Sequence, residues 1–151
     1  MKLNLPSFAF NIQEVEGKRQ IFDPIRKRFV ALTPEEWVRQ HLIRLLIEQY
    51  GAPAGLMGVE HSVKVGTLSQ RADIVLYNRL GEPVLIVEVK APKVAITQDV
   101  LDQASRYNLK LNVKYIILSN GIQHLVLRLN SEKKAYEIVA KMPHYEDIIA
   151  C

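Results

Sequence analysis

Pro83-Val84-Leu85-Ile86-Val87-Glu88-Val89-Lys90 runs almost without a break in apolar residues and ends on an acid and a base. A run of this composition reads as a strand buried on both faces, so charges at its end need a reason. The run before it, Ala72-Asp73-Ile74-Val75-Leu76-Tyr77, is also strand-like, and Asn78, Gly81 and Pro83 between the two signal a reversal. Pairing Tyr77 with Val84 and counting back without a bulge sets Asp73 opposite Glu88, with Cβ atoms about 4.5–5.5 Å apart. Two carboxylates at that separation repel unless they share a proton or a cation. Strand alternation turns Glu88 and Lys90 to one side and Val87 and Val89 to the other. The carboxylates, the Val89 carbonyl and one ammonium therefore form an oxygen-rich pocket suited to magnesium or manganese. Such an ion generates hydroxide and polarises a phosphoryl oxygen, with the lysine holding water or offsetting transition-state charge.

Working outward, the first thirty residues read as short strands and turns, with Asp23-Pro24 opening a reversal inside Ile21 to Val30. Thr33, Pro34 and Glu36 form a helix-start signature, a Thr-x-x-Glu capping box with proline at the first helical position. Val38, His41, Leu42, Leu45, Leu46 and Gln49 follow at helical spacing until Gly51 and Pro53. That stripe is expected to pack on a sheet. Val59 to Val65 reads as a strand, Gln98 to Leu111 as a helix capped by Thr97, and Lys114 to Ser119 as a second buried strand. Gln123 to Leu129 and Ala135 to Ala140 complete the strands. Strand, helix, strand from Val84 to Ser119 implies a right-handed crossover between parallel neighbours. The fold expected is α/β, a single mixed central sheet flanked by helices.

The chain's 151 residues suffice for one domain with one core, taken as 1–151. No apolar stretch reaches the roughly 20 residues that cross a bilayer, and residues 1–10 lack a signal-peptide core. A single cysteine, Cys151, excludes an internal disulfide and points to a reducing cytoplasm. Net charge is +4, a mild excess that admits a polyanionic partner without demanding one. His41, His61, His124 and His144 are too scattered to suggest zinc.

Ala72-Asp73 followed by Glu88-Val89-Lys90 resembles the D…(D/E)-x-K signature of the PD-(D/E)XK nucleases. Several segments resemble more closely the N-terminal nuclease domain of type I restriction enzyme R (HsdR) subunits. They are Leu32 to Arg39, Arg71 to Val75, Val87 to Pro92, Gln103-x-x-x-Tyr107-Asn108 and Ser119-Asn120-Gly121, within about residues 21–129. The resemblance implies a restriction-endonuclease-like fold and magnesium- or manganese-dependent hydrolysis of DNA. It implies Asp73 and Glu88 as metal ligands, Lys90 as the catalytic lysine, and Glu36 as a further acid near the metal. Gln103 and Tyr107 match a motif associated with nuclease function. Ala72 replaces the proline of the motif's name, and nothing matches the phosphate-binding pattern G-x-x-x-x-G-K-S/T of a motor. The partners implied are DNA, other restriction-system subunits or a separate motor, and a second copy of the chain, with no membrane.

Other readings stand beside these. Glu36 is fully explained as a helix cap. Gln103 and Tyr107, at i and i+4, also suit a surface pair. Arg71 either neutralises Asp73 or contacts a phosphate. The alternative function is a non-catalytic nucleic-acid-binding or partner-docking module that keeps the fold; a third is action on RNA or another phosphate ester.

Overall fold

The computed structural model describes residues 2–150, so Cys151 lies outside the described residues. The N-terminal strands β1 (Ile12–Val15), β2 (Lys18–Asp23) and β3 (Arg28–Ala31) make their own antiparallel sheet. The Asp-Pro reversal between β2 and β3 is built on the Asp23 carboxylate, which is fully buried. It accepts hydrogen bonds from the Ile25 and Arg26 N–H groups at 2.7 and 2.8 Å, from Arg26 Nε at 2.6 Å and from Gln40 Nε2 at 3.0 Å. Burial pushes the Asp23 pKa up, but the hydrogen bonds from Arg26, Gln40 and Ile25 outweigh it and hold the group below its ordinary 3.8. A depressed carboxylate stabilises the fold above its unfolded pKa and loses that contribution as pH falls through the folded value. Asp23→Asn is thus expected to cost about 1.5–3 kcal/mol at neutral pH. In urea titrations the gap from wild type should close as pH drops below 3.8; a constant gap would contradict the assignment.

Helix α1 (Pro34–Glu48) starts where the signature places it, with Thr33 Oγ1 accepting from the Glu36 N–H at 3.0 Å, but the Glu36 carboxylate turns to Arg26, Arg39 and Gln40 instead of completing the capping box. Its Val38, Leu42, Ile43 and Leu46 are buried against Ile74, Leu76, Leu85, Val87 and Val89. His41 faces another way, stacked edge-on against Trp37 (4.4 Å) and close to Phe10 (4.7 Å). Burial lowers its pKa.

After a short 3-10 turn come β4 (Met57–Val65), β5 (Leu68–Tyr77), β6 (Pro83–Val89), α2 (Gln98–Leu109), β7 (Tyr115–Ser119), β8 (His124–Asn130) and β9 (Ala135–Val139). These strands form a six-stranded mixed sheet in sequence order, in which β6 and β7 are parallel across the α2 crossover. The fold is α/β, with a large mixed sheet and a few helices. Alternation along β6 divides the core. Leu85, Val87 and Val89 face α1, whereas Ile86 packs with Leu111 and Val113 in the segment just after α2.

Two local expectations are revised, and one short helix was not foreseen. Tyr77 pairs with Pro83 rather than Val84 across an irregularity, but Leu76↔Leu85, Val75↔Ile86 and Ile74↔Val87 keep the counted register. Helix α2 stops at Leu109, because the chain tightens there and Asn112 turns to a positive φ of 57°. A third helix, α3 (Tyr145–Ile149), buries Tyr145 and Ile148 and was too short to show a period. Among the described residues no helix is long and apolar enough to cross a membrane.

Candidate active site

The β5–β6 ladder runs as far as Ile74↔Val87, and the next positions are Asp73 and Glu88. Beyond that point the Val89 N–H is taken by the Asp73 side chain, Oδ2 accepting at 2.7 Å. On its other side β6 stays attached to β7, with the Lys90 N–H donating to Ser119 O at 2.8 Å. Asp73 thus satisfies a backbone donor that a spreading sheet would leave unpaired.

A cleft of about 330 Å³ opens beside this fork, beneath α2. Asp73, Glu88 and Lys90 line one wall, and Gln103 and Tyr107 from α2 line the other. The small Ala104 leaves room where the helix crosses the strand end. Asp73, Glu88 and Lys90 side chains are partly exposed, at 24%, 33% and 34%, which leaves them open to a ligand without full hydration. Lys90 Nζ lies 3.3 Å from Glu88 Oε1.

Helix α1 contributes a different acid from the one expected. Glu36 is buried, and its carboxylate accepts from Arg26 Nη2 at 2.8 and 2.9 Å, Arg39 Nη1 at 2.6 Å and Gln40 Nε2 at 3.0 Å. With both oxygens engaged by three side chains it is a structural anion and does not line the cleft. Its neighbour Glu35 does. Burial raises the Glu35 pKa, and the nearby Asp73 carboxylate raises it further. One step along a helix rotates a side chain by roughly 100°, so the rotation of α1 on the sheet decides which of the two acids reaches the cleft.

Of the two roles open to Arg71, neutralising Asp73 is not the one its geometry shows. The side chain is exposed on the cleft rim and binds Glu60 Oε2 at 2.6 Å, not Asp73. The arginine beside Asp73 is Arg39, whose Nη2 is 2.8 Å from Glu60 Oε1 and 3.5 Å from Asp73 Oδ1. Glu60 sits at a left-handed φ of 51°, where the β4–β5 ladder skips from Val59↔Ile74 to His61↔Ala72. There it accepts from both arginines, and the Arg71 hydrogen bond leads the causes that depress its pKa. Arg39 therefore ties Asp73 to the buried Glu36–Arg26–Asp23 group under the N-terminal sheet. Glu35, Arg39 and Glu60 were not singled out from the sequence. The visible signal was the row Glu36, Arg39, Gln40, Ile43, polar residues at i, i+3, i+4 sharing a stripe with an apolar i+7.

Among the described residues, no three acidic, histidine or cysteine side chains converge as a ready-made metal cluster. Magnesium asks for less: one or two carboxylates, with water and substrate phosphate completing the shell. Asp73 and Glu88 are the residues that would hold such an ion, and the residues lining the cleft include no histidine or cysteine to favour zinc.

A search of curated proteins gave no match. In a comparison with solved structures, the chain resembles one described as a fragment of an HsdR subunit of a type I restriction enzyme from Vibrio vulnificus YJ016. The TM-score is 0.53 and the identity 20%, a likeness of fold. The match covers 79% of this chain but 25% of that one, so the chain spans about a quarter of its neighbour's length. The family model for the type I restriction enzyme R protein N terminus matches residues 34–143, from the first residue of α1 to just before α3. The chain belongs to the family of type I restriction enzyme R protein N-termini.

Proposed function

We propose that this chain is a magnesium- or manganese-dependent DNA endonuclease domain of a restriction system, cutting at the Asp73–Glu88–Lys90 cleft. The observation that carries this reading is convergence. Residues from α1, β5, β6 and α2, distant in sequence, line one partly exposed cleft at a fork in the sheet. Family membership supports the restriction context, because it is shared with R-protein N-termini.

A divalent cation held by Asp73 and Glu88 supplies Lewis-acid polarisation of the phosphodiester and activation of water. Lys90 carries three donors, of which one is directed to Glu88; the others are free for an attacking water or a phosphoryl oxygen. Gln103 offers a donor and an acceptor, and Tyr107 a hydroxyl, from the facing wall, where they orient the phosphate. Glu35 faces the same space, where its raised pKa suits it to hold a proton or accept one from water. Arg39 acts through Asp73 by fixing its carboxylate.

DNA is the substrate in this reading. Other restriction subunits, or a protein carrying the motor that this sequence lacks, are the natural partners, and a second copy would supply the second strand's cut. Supercoiled plasmid, linear duplex and RNA are to be incubated with the chain, with and without magnesium or manganese. Nicking of DNA only when metal is present is the expected result. Cutting that ignores chelator, or cutting confined to RNA, would refute it.

A further inference from the structure

A second hollow of about 680 Å³ adjoins the cleft, between the β4–β5 turn and the outer face of α2. The two spaces share Gln70, Gln103 and Tyr107. The Gln70 Nε2 to Asn108 Oδ1 hydrogen bond, 3.1 Å, bridges from sheet to helix beside this junction. Gln103, Arg106, Tyr107 and Lys110 are spaced i, i+3, i+4, i+7 and so share one stripe, about 10 Å long. Among the described residues none of these four side chains has a hydrogen bond or ion pair within the chain. Opposite them stands Leu68, 40% exposed, and Tyr107 itself is 57% exposed. The lining is mainly apolar, carries two cations and includes no carboxylate.

We propose that this hollow binds an unpaired nucleotide adjoining the phosphate in the cleft, with its base against Tyr107 and Leu68 and its phosphate near Arg106 and Lys110. The inference rests on the reading of the cleft as a DNA-cutting site. Duplex DNA keeps its base faces stacked inside and offers phosphates and polar groove edges. An apolar wall with an exposed aromatic ring, flanked by cations, suits a base face released from the stack, as in single-strand binding grooves. Continuity through Gln103 and Tyr107 places that nucleotide next to the phosphate being cut. Local fraying or prior strand separation at the cutting point would then favour cleavage.

The test is fluorescence anisotropy with a labelled oligothymidine and a labelled blunt hairpin duplex, in EDTA so that nothing is cut. Wild type should bind the oligothymidine more tightly than the duplex. Tyr107→Ala should weaken oligothymidine binding about 5- to 100-fold, the range for losing a base-stacking contact, and Leu68→Asn should weaken it at least about fivefold, with duplex binding changed less than about twofold in both. Lys110→Gln should reduce the salt slope of single-strand binding by about 0.7. Leu68, Tyr107 and Lys110 are exposed, so these variants should fold, which circular dichroism checks. Equal binding of both nucleic acids, or variants that bind oligothymidine as wild type does, would overturn the proposal. Binding as expected with no metal-dependent cutting would refute the nuclease reading and retain a single-strand site; cutting with oligothymidine binding unaffected by the variants would refute the hollow alone.

Discussion

Glu88→Gln is expected to lower metal-dependent DNA cleavage at least ~1000-fold, on the order of 4 kcal/mol of transition-state stabilisation. The amide keeps the shape and part of the hydrogen bonding but removes half of the carboxylate pair that would hold the cation. Little stability should be lost. Glu88 is one-third exposed, its contact with Lys90 is a partly solvated pair, and such pairs contribute about 0–1 kcal/mol. A thermal melt separates the two effects. Metal at about 100 times its dissociation constant adds about 2.7 kcal/mol to wild type, a rise of about 5–11 °C for a domain of this length. Glu88→Gln should lose most of that rise while melting near wild type in EDTA. A variant strongly destabilised in EDTA, with wild type insensitive to metal, would make Glu88 a structural residue.

Arg39→Met is expected to be the most destabilising single change near the cleft, at about 3–5 kcal/mol. Its side chain is 6% exposed and bridges Glu36, Glu60 and Asp73. Methionine fills much of the space but leaves Glu36 buried with one cation fewer. Arg71→Met removes an ion pair with the same Glu60 from a side chain that is 70% exposed, and the expected cost is below about 1 kcal/mol. Burial makes the difference, not the number of partners. Urea unfolding of both variants measures it directly. Equal losses would mean that the Arg39 network is not the support under Asp73.

The sheet's centre was legible because strong local signals agreed. The apolar run from Val84 to Val89 demanded a strand covered on both faces; α1 covers one, and Leu111 and Val113, just after α2, pack against the other. The capping residues before α1 marked its start, and the inner β5–β6 register followed from counting back from the turn. Asp73, Glu88 and Lys90 followed from the same strand arithmetic, whereas Gln103 and Tyr107, which line the same cleft, came from the family resemblance. What escaped was decided by tertiary packing. Glu35 and Glu36 are adjacent and chemically alike, so only the rotation of α1 on the sheet determines which one reaches the cleft. Arg39 looks like a surface residue until the N-terminal sheet brings Arg26 and Asp23 over the helix. Glu60 takes a left-handed backbone conformation that its residue type does not announce. The early strands were visible, but their closure into a separate sheet was not.

The most direct test of the cleft is plasmid nicking by Lys90→Met beside wild type, in magnesium and in EDTA, with DNA binding followed in parallel. Methionine keeps most of the aliphatic stem and removes only the ammonium that lies 3.3 Å from Glu88. Wild type should nick in magnesium and not in EDTA. Lys90→Met should bind DNA comparably and nick at least ~100-fold more slowly, a loss on the order of 3 kcal/mol. Nicking by Lys90→Met at the wild-type rate, or wild-type nicking that persists in EDTA, would contradict a metal-dependent cutting site built on Asp73, Glu88 and Lys90.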